Sequence, residues 1–345
     1  MELKITREIY DQAIKVNGQI EFEQKWSVVG KIFGHIFFLF CRAETWIRRE
    51  YWRKFVAPKL DKNDLRNIAL IMDPRKHPVA KFLYESSNYV TFLKHHAMEW
   101  TAIEAIYNER DWLRKEKSLL SIIVTFLLSR VENIVATRNR LRNTKRAMFQ
   151  EIVHQLESGA AEIRIVSLAS GSARSSIEVV AAILRENPQL LDKFRIWFVD
   201  ADPKAFEFTK ALAKEKYPGL EKQFEFWNTK ISRKMFDNLS GFLKEIKPAI
   251  VEMVGFGDYL PTEKAIQMNR IIYEGLSPGG VLITNNVKDN DERKFLEIVV
   301  TWTMLNRSEE EVNEILAEAG FKVRTILNEP CDIQPVYLAR KLSNE

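Results

Sequence analysis

Short apolar runs alternate with helical segments through the second half of the chain. The predicted strands are Ile163–Leu168, Arg195–Val199, Phe224–Trp227, Ala249–Val254 and Gly280–Asn285. The predicted helices between them are Ser175–Glu186, Pro203–Lys216, Ser232–Ile246 and Thr262–Leu276. This alternation is typical of a parallel sheet with helices on both faces. Because crossovers between parallel strands are right-handed, the order of elements also predicts the topology.

The C-terminal segment follows a different pattern. A helix is predicted over Ser308–Ala319, with Ser308 as its N-cap and Glu311 placed to complete a capping box. Two β-prone runs follow it directly, Phe321–Leu327 and Val336–Ala339. We expect them to form a closing antiparallel hairpin.

The first half of the chain has apolar residues at helical spacing and very few glycines. The predicted helices are Lys4–Val16, Gln24–Arg42, Lys62–Met72, Pro78–Lys94, Met98–Arg114 and Ser118–Ala136. The pattern changes near Arg146. We therefore expect an all-helical N-terminal domain over residues 1–145, serving as a lid or substrate-binding part, and an α/β domain over residues 146–345.

The composition is that of a globular protein, with 46% apolar and 29% charged residues. The two cysteines, Cys41 and Cys331, suggest neither a disulfide framework nor a zinc cluster, and favour a reducing, cytoplasmic location. No metal-binding spacing is present. The charged segment Met1–Asn17 does not look like a signal peptide.

Two apolar stretches, Ile32–Cys41 and Leu119–Leu128, are shorter than the roughly 20 residues of a membrane-spanning helix. No transmembrane segment is therefore expected. We predict that both stretches are buried helix core. The alternative is an interfacial segment that contacts lipid or an acyl substrate.

The positive charge is concentrated in the first 150 residues, which hold 27 Lys and Arg against 17 Asp and Glu. Such a basic half could meet nucleic acid, anionic lipid or an acidic small molecule, or could be a solvated helical surface. The run Trp46–Phe55 mixes aromatic and basic residues. Its residues could stack on bases, although helical spacing favours amphipathic packing. A nucleic-acid partner is thus the less favoured alternative.

The first candidate site is the loop that follows the predicted strand Ile163–Leu168. In open α/β sheets, ligands bind beyond the carboxyl ends of the strands, and small residues let the backbone approach a ligand. This loop has one glycine, Gly171, and an ordinary strand-to-helix turn would look similar. Its candidate cofactor contacts are Ser167, Ala169, Ser170, Gly171 and Ser172.

The second candidate is Asp200, which lies just after the second predicted strand. An acidic residue there can accept hydrogen bonds from both hydroxyls of a ribose. Asp202 could instead cap the helix that begins at Pro203. Together the loop and Asp200 indicate a nucleoside-containing cofactor. The glycine-rich pyrophosphate loop of dinucleotide sites is missing, which favours S-adenosylmethionine (SAM), a cofactor without phosphate.

Four blocks in the second half resemble the class I SAM-dependent methyltransferases, over about Arg146 to Lys341. They are VSLASGSA (Val166–Ala173), FVDADP (Phe198–Pro203), VGFGDYLP (Val254–Pro261) and LSPGGVLITN (Leu276–Asn285). The resemblance implies a Rossmann-like seven-stranded sheet with an antiparallel C-terminal hairpin. It also implies SAM as cofactor and S-adenosylhomocysteine (SAH) as product. The GFGDYL block and the segment Trp302–Arg307 resemble a bacterial subgroup linked to the synthesis of a hydroxy-fatty-acid methyl ester signal.

The resemblance also assigns roles to residues. Asp200 would hold the ribose, and Ala201 or Asp202 would border the adenine. The adenine contacts would include Asn228 and Thr229. The methyl group and the acceptor would meet at Val254 and Gly255. The chain departs from the family pattern at three positions. The family usually has an acidic residue where Ser167 stands, and glycines where Ala169 and Ala173 stand.

The basic segment Arg138–Arg146 lies just before the sheet. Arg138 with Asn139, or Arg142 with Asn143, could bind the carboxylate of the acceptor or of the cofactor, although a solvated helix face is an equal alternative.

Beyond the fourth strand, Phe256 and Tyr259 are further candidate substrate contacts. The candidate general bases are Asp258, Tyr259 and His154, and a carboxylate acceptor would need no base.

We therefore expect a SAM-dependent methyltransferase that acts on a small-molecule or lipid-like acceptor. The alternatives are a nucleic-acid methyltransferase and an enzyme that uses SAM for other chemistry, such as aminocarboxypropyl transfer. The N-P-P-Y type motif of nucleic-acid amino methylation is replaced by Val254-Gly255-Phe256-Gly257, which disfavours the first alternative. The sequence does not determine the oligomeric state.

Overall fold

The computed structural model describes residues 3–24, 78–229, 233–290 and 292–342. Elements are numbered over these residues. Several sequence predictions lie outside them: the helices Gln24–Arg42 (apart from Gln24) and Lys62–Met72, the apolar run Ile32–Cys41, and the aromatic-basic run Trp46–Phe55.

A seven-stranded sheet contains every strand that the sequence predicts. The strands are β1 (Ile163–Leu168), β2 (Phe194–Asp200), β3 (Phe224–Asn228), β4 (Ile250–Met253), β5 (Val281–Asn285), β6 (Lys322–Leu327) and β7 (Val336–Arg340). Their order in the sheet is β3-β2-β1-β4-β5-β7-β6. Strands β1 to β5 are parallel, and β7 runs antiparallel to both β5 and β6. The predicted parallel sheet and closing hairpin are confirmed.

Strand β1 is an interior strand of the sheet and is apolar on both faces. Ile163 and Ile165 pack in the core on one face, while Val166 and Leu168 pack in the core on the other. On one side of β1 the sheet continues with β2 and β3, and on its other side with β4 and β5, so the strand order reverses at β1. This change of order creates the crevice in which open α/β sheets bind ligands, beyond the carboxyl ends of the strands.

The helices of the second half lie close to their predicted bounds. They are α8 (Arg174–Glu186), α9 (Pro203–Lys216), α10 (Arg233–Ile246), α11 (Thr262–Gly275), α12 (Arg293–Val299) and α13 (Glu309–Glu318). Ser308 caps α13, and the predicted capping box with Glu311 forms. The start of α13 is therefore encoded by local residues.

Most described helices of the first half are shorter than the periodicity predicts, whereas the last one extends beyond its predicted end at Ala136. The described helices are α1 (Arg7–Ile14), α2 (Pro78–Ser86), α3 (Asn88–His95), α4 (Trp100–Tyr107), α5 (Glu109–Lys115), α6 (Leu119–Leu128) and α7 (Glu132–Glu157). Three predicted continuous helices are thus each divided in two. At the first division, Ser87 has an extended backbone and its hydroxyl accepts the Val90 N–H at 3.2 Å. Apolar spacing continues through such a cap, so the pattern alone does not show it.

The chain forms two compact units, and their boundaries differ from the predicted boundary between residues 145 and 146. One unit comprises residues 1–23, 136–289 and 304–345, and the other residues 24–135 and 290–303. The expected boundary falls inside α7. Lys145 is one reason, because its buried Nζ donates to the Lys15 carbonyl at 2.6 Å and pairs with Glu178 of α8. The N-terminal residues therefore belong with the sheet.

The prediction that Leu119–Leu128 is buried core is wrong for one face of α6, where five large apolar side chains are exposed. Among the described residues, no single helix is long and apolar enough to cross a membrane.

Two glycines offer a matched test of how α10 and α11 pack. A methyl group at Gly275, the last residue of α11, would overlap Leu243 of α10, whereas a methyl group at Gly241 in α10 would meet open space. We expect Gly275→Ala to lower the free energy of unfolding by about 1–3 kcal/mol through overpacking. Gly241→Ala should raise it by about 0.5–1 kcal/mol, because alanine favours the helix. Urea denaturation measures both, and equal effects would contradict the packing described.

Candidate functional site

The loop between β1 and α8 has three residues in the left-handed backbone region. The φ angles of Ala169, Gly171 and Ala173 are 50°, 51° and 50°. This conformation costs a residue with a side chain roughly 1–2 kcal/mol. Two alanines thus keep the conformation for which glycine is suited. Strain of this kind persists where surrounding contacts hold the turn in place, and it often marks a functional site.

Asp200 supplies the main contacts that hold this turn. Its two carboxylate oxygens accept the N–H groups of Gly171 at 2.8 Å and Asp202 at 2.9 Å. The Ser170 N–H also donates to the Val199 carbonyl at 3.2 Å. Each carboxylate oxygen accepts about two hydrogen bonds, so both oxygens keep room for a ligand hydroxyl. The loop after β1 and Asp200, which the sequence analysis predicted as two separate candidates, are therefore in direct contact.

Asp202, just after β2, and Asn228, the last residue of β3, make further hydrogen bonds around Asp200. Asp202 caps α9 by accepting the Lys204 N–H at 3.0 Å. The side-chain amide of Asn228 donates to the carbonyls of Asp200 and Ala201, at 3.2 and 3.1 Å. The side chains of Asp202 and Asn228 thus stabilise the local backbone.

The backbone next to these residues lies at the same edge. The Thr229 N–H donates to the Asp200 carbonyl at 2.9 Å. Ala201 is exposed beside it. Their contacts with adenine stay predictions.

A buried carboxyl that the sequence analysis missed lies beneath the loop. Glu252 of β4 is paired in register with Ser167 of β1. Its carboxyl accepts hydrogen bonds from the hydroxyls of Ser167, at 3.3 Å, and Ser175 of α8. Burial raises the pKa of Glu252. An acidic group thus lies beside Ser167 on the neighbouring strand. Its signal was a single acidic residue within a strand that is otherwise apolar.

The predicted anion-binding arginines are engaged elsewhere. Arg138 forms a two-pronged ion pair with Glu23, at 2.7 and 2.6 Å. Arg142 donates to Asn139 at 2.7 Å and lies over the Phe22 ring, and its burial lowers its pKa to about 10. Both arginines thus hold the N-terminal segment on α7. These contacts do not favour the substrate-binding role predicted for them.

Arg140 faces the other way on the same helix. Two residues correspond to about 200° of rotation, so Arg140 points away from the side of Arg138 and Arg142. Its guanidinium lies against Gly255, where a Cβ atom would be 3.3 Å from Nη2. Its buried Nε has no hydrogen-bond partner among the described residues. A buried guanidinium is costly unless it is paired, so this position is suited to an anion.

Asn285, at the end of β5, completes the surroundings of Gly255. Its Oδ1 accepts the Gly255 N–H at 2.6 Å. Its buried Nδ2 faces the Asp258 carboxyl, where burial raises the pKa and the Asn285 amide opposes that rise, although the contact falls outside standard hydrogen-bond geometry. Gly255 itself has a φ angle of 80°, and Val254 beside it is half-buried. Two donor groups, from Arg140 and Asn285, therefore flank the turn after β4.

The next turn of the GFGDYL block is clamped by Arg307, from the late WTMLNR segment. The Arg307 guanidinium donates to the carbonyls of Gly257, at 3.1 Å, and Leu260. Asp258 accepts the Val287 N–H at 2.7 Å, and burial raises the pKa of Asp258. Asp258 is therefore held by the backbone as part of this clamp, which makes it a poor candidate for a general base.

The remaining candidate bases and substrate contacts differ in position. Phe256 and Tyr259 are half-buried in the turn after β4. His154 is exposed near the end of α7. It lies 14 residues after Arg140, which is about 21 Å along the helix axis. His154 is thus separated from the rest of the site, whereas Tyr259 stays a candidate.

Solved structures share this architecture at low sequence identity. A Bordetella parapertussis protein described as a possible exported protein has a TM-score of 0.54 and 16% identity, over 76% of this chain and 86% of that chain. Synechocystis magnesium protoporphyrin IX methyltransferase with bound SAH has a TM-score of 0.42 and 12% identity, over 68% and 94%. Human N-acetylserotonin methyltransferase in complex with SAM has a TM-score of 0.36 and 14% identity, over 71% and 66%. Neither a protein-family model nor a curated protein matches the sequence.

At these identities the likeness shows the fold alone. The strand order β3-β2-β1-β4-β5-β7-β6 with an antiparallel β7 is the Rossmann-like arrangement of class I methyltransferases. The fold class expected from the sequence is confirmed.

Glu252 predicts a pH dependence of stability. Its pKa is raised in the folded chain, above the value of about 4.3 expected when unfolded. Its favourable contribution is therefore complete below the unfolded pKa and is lost as the pH rises through the folded pKa. Because Glu252→Gln removes this titration, the variant should gain stability relative to the parent chain as the pH rises. Urea denaturation between about pH 4 and 8 measures this difference. A deficit that grows with pH would instead show an ionised Glu252.

Proposed function

We propose that the protein is a SAM-dependent methyltransferase that acts on a small-molecule or lipid-like acceptor. The observation that carries the proposal is the Asp200 carboxylate, held by the Gly171 and Asp202 N–H groups at the carboxyl edge of the sheet. Each of its oxygens keeps one acceptor position for a ribose hydroxyl. The nucleoside would lie along the ends of β1 and β2, as cofactors do in this fold class.

The loop favours SAM over a dinucleotide. Its backbone turns as a glycine-rich loop does, but Ala169 and Ala173 add methyl groups at the left-handed positions. A pyrophosphate needs glycine there for close backbone contact. SAM has no pyrophosphate, so the alanines are compatible with it. SAH is then the product left after transfer.

Arg140 and Asn285 would bind a carboxylate in the turn after β4. SAM carries one such group on its methionine part, and an acidic acceptor would carry another. The guanidinium beside Gly255 supplies charge and the Asn285 amide supplies a second donor. This role replaces the one predicted for Arg138 and Arg142. Burial raises the pKa values of the two nearby carboxyls, Glu252 and Asp258, and the Arg140 charge opposes that rise, so a ligand carboxylate would share this guanidinium with them.

The acceptor would lie by the half-buried side chains of Phe256 and Tyr259. Methyl transfer is an in-line displacement, in which the acceptor lone pair forms the new bond and SAH leaves. The chain's task is to align the two groups and exclude water. The resemblance to the methyl ester subgroup makes an acyl carboxylate the finer proposal. Such an acceptor needs no base, and Tyr259 would serve one that does.

Cofactor binding is tested by thermal denaturation with SAM, SAH and NAD. A ligand that binds the folded chain raises the melting temperature, and we expect this for SAM and SAH. Asp200→Ala should weaken SAH binding at least about tenfold, because hydrogen bonds to a charged carboxylate are lost. Asp202→Ala is the matched control: it should cost roughly 1 kcal/mol of helix capping and leave SAH affinity nearly unchanged. Stabilisation by NAD alone would refute the proposal.

The role of Arg140 is tested with two nucleosides. SAH carries the carboxylate, whereas 5′-methylthioadenosine lacks it. If Arg140 binds the cofactor, Arg140→Gln should weaken SAH about tenfold or more and leave 5′-methylthioadenosine unchanged, in calorimetric titrations. Arg142→Gln, on the opposite face of α7, should lower stability without this selectivity. Equal losses for both nucleosides would contradict a carboxylate contact, and an unchanged SAH affinity would assign Arg140 to the acceptor.

A further inference from the structure

Helix α6 exposes an apolar side, which is unusual for a helix on the surface of a protein. Its outward side carries only large apolar residues, each more than a third exposed, with Leu119 the most exposed at 75%. We call this side the α6 apolar face: Leu119, Leu120, Ile122, Ile123 and Phe126. Together these residues cover about 160° of the helix circumference. A surface helix normally presents its polar side to water, so this face lacks its usual environment.

A buried polar network holds the apolar face outward. Thr125 is fully buried on the opposite side of α6, and its hydroxyl donates to the Glu116 carboxylate at 2.9 Å. The same carboxylate accepts the Tyr89 N–H at 3.1 Å, and Ser87 is 2.7 Å from the Thr125 hydroxyl. Rotating α6 to hide its apolar face would break these bonds and leave buried polar groups unpaired. The exposure is therefore built into the packing of this unit.

Basic residues lie directly before the apolar face. Lys115 and Lys117 are exposed at the end of α5 and in the turn into α6. Lys115 Nζ lies 5.3 Å from the centre of the Trp112 ring. From Lys117 to Leu128 the chain has no acidic residue. An apolar face with cations at one end complements a layer that has an apolar interior and an anionic surface.

We propose that the α6 apolar face docks the protein on an anionic lipid bilayer. The helix is about 15 Å long and would lie parallel to the bilayer, with its apolar side chains about 5–10 Å into the headgroup boundary. Lys115 and Lys117 would then contact lipid phosphates. A second copy of the chain fits less well, because five side chains are few beside the roughly 20–30 residues that each partner contributes to a standard interface. This inference does not depend on the proposed methyl transfer.

The full chain is tested by co-sedimentation with vesicles. One set contains phosphatidylcholine and phosphatidylglycerol in equal parts, and the other contains phosphatidylcholine alone. We expect binding to the anionic vesicles, with weaker binding to the neutral set. Leu119→Gln combined with Ile123→Gln should reduce partitioning at least about tenfold, since two buried side chains leave the lipid. Lys115→Gln combined with Lys117→Gln should reduce it about fivefold per charge, on anionic vesicles only.

A matched control uses a leucine of similar exposure outside this unit. Leu342→Gln should sediment with anionic vesicles as the parent chain does, because Leu342 is exposed but distant in the chain from α6. Circular dichroism and thermal denaturation check that the α6 double variant stays folded. In a separate chain with Phe126→Trp, the tryptophan emission should shift to the blue when anionic vesicles are added.

Three results would overturn the proposal. The first is that the parent chain sediments with neither vesicle. The second is that the folded α6 double variant sediments as strongly as the parent chain. The third is a parent chain that dimerises without binding vesicles, while the α6 double variant is a monomer, since the face would then join two copies of the protein.

Discussion

The contact on which the candidate site depends is the one between the Asp200 carboxylate and the turn after β1. The Gly171 N–H donates to Asp200, and in the same turn Ala169 and Ala173 have left-handed conformations. Strain in two alanines is therefore offset by hydrogen bonds to a charged acceptor. The same carboxylate also binds the start of the segment that leads into α9. One side chain thus sets the positions of the loop, the end of β2 and the next helix.

Helix α7 directs its buried basic residues to two sides with different surroundings. Arg138, Arg142 and Lys145 each contact the N-terminal segment, and their buried charges have partners within the chain. Arg140 lies on the opposite side, against Gly255 and near two carboxyls whose pKa values burial raises. The Arg140 charge opposes the rise in the pKa values of these carboxyls, and its Nε has no hydrogen-bond partner among the described residues. The distinction follows from helix geometry and not from residue type.

The other compact unit shows how a few buried polar atoms control a surface. Glu116 collects hydrogen bonds from Thr125, from the Tyr89 backbone and from the Asn88 amide at 3.1 Å. These bonds fix the rotation of α6, so that five of its large apolar residues face outward. The inward side of α6 therefore carries hydrogen-bonded Ser121 and Thr125 beside buried apolar residues, while its outward side is apolar.

The sequence by itself determined the sheet, the hairpin, the capping of α13 and the meeting of the β1 loop with Asp200. These depend on local patterning and on the rule that parallel strands end at one edge. It did not distinguish Arg140 from Arg138 and Arg142, because the inward side of α7 depends on what packs against each face. It also missed Glu252, whose partner Ser167 lies on a neighbouring strand, far away in the chain. Only the tertiary structure decided these points and the outward side of α6, because each depends on contacts between residues distant in sequence.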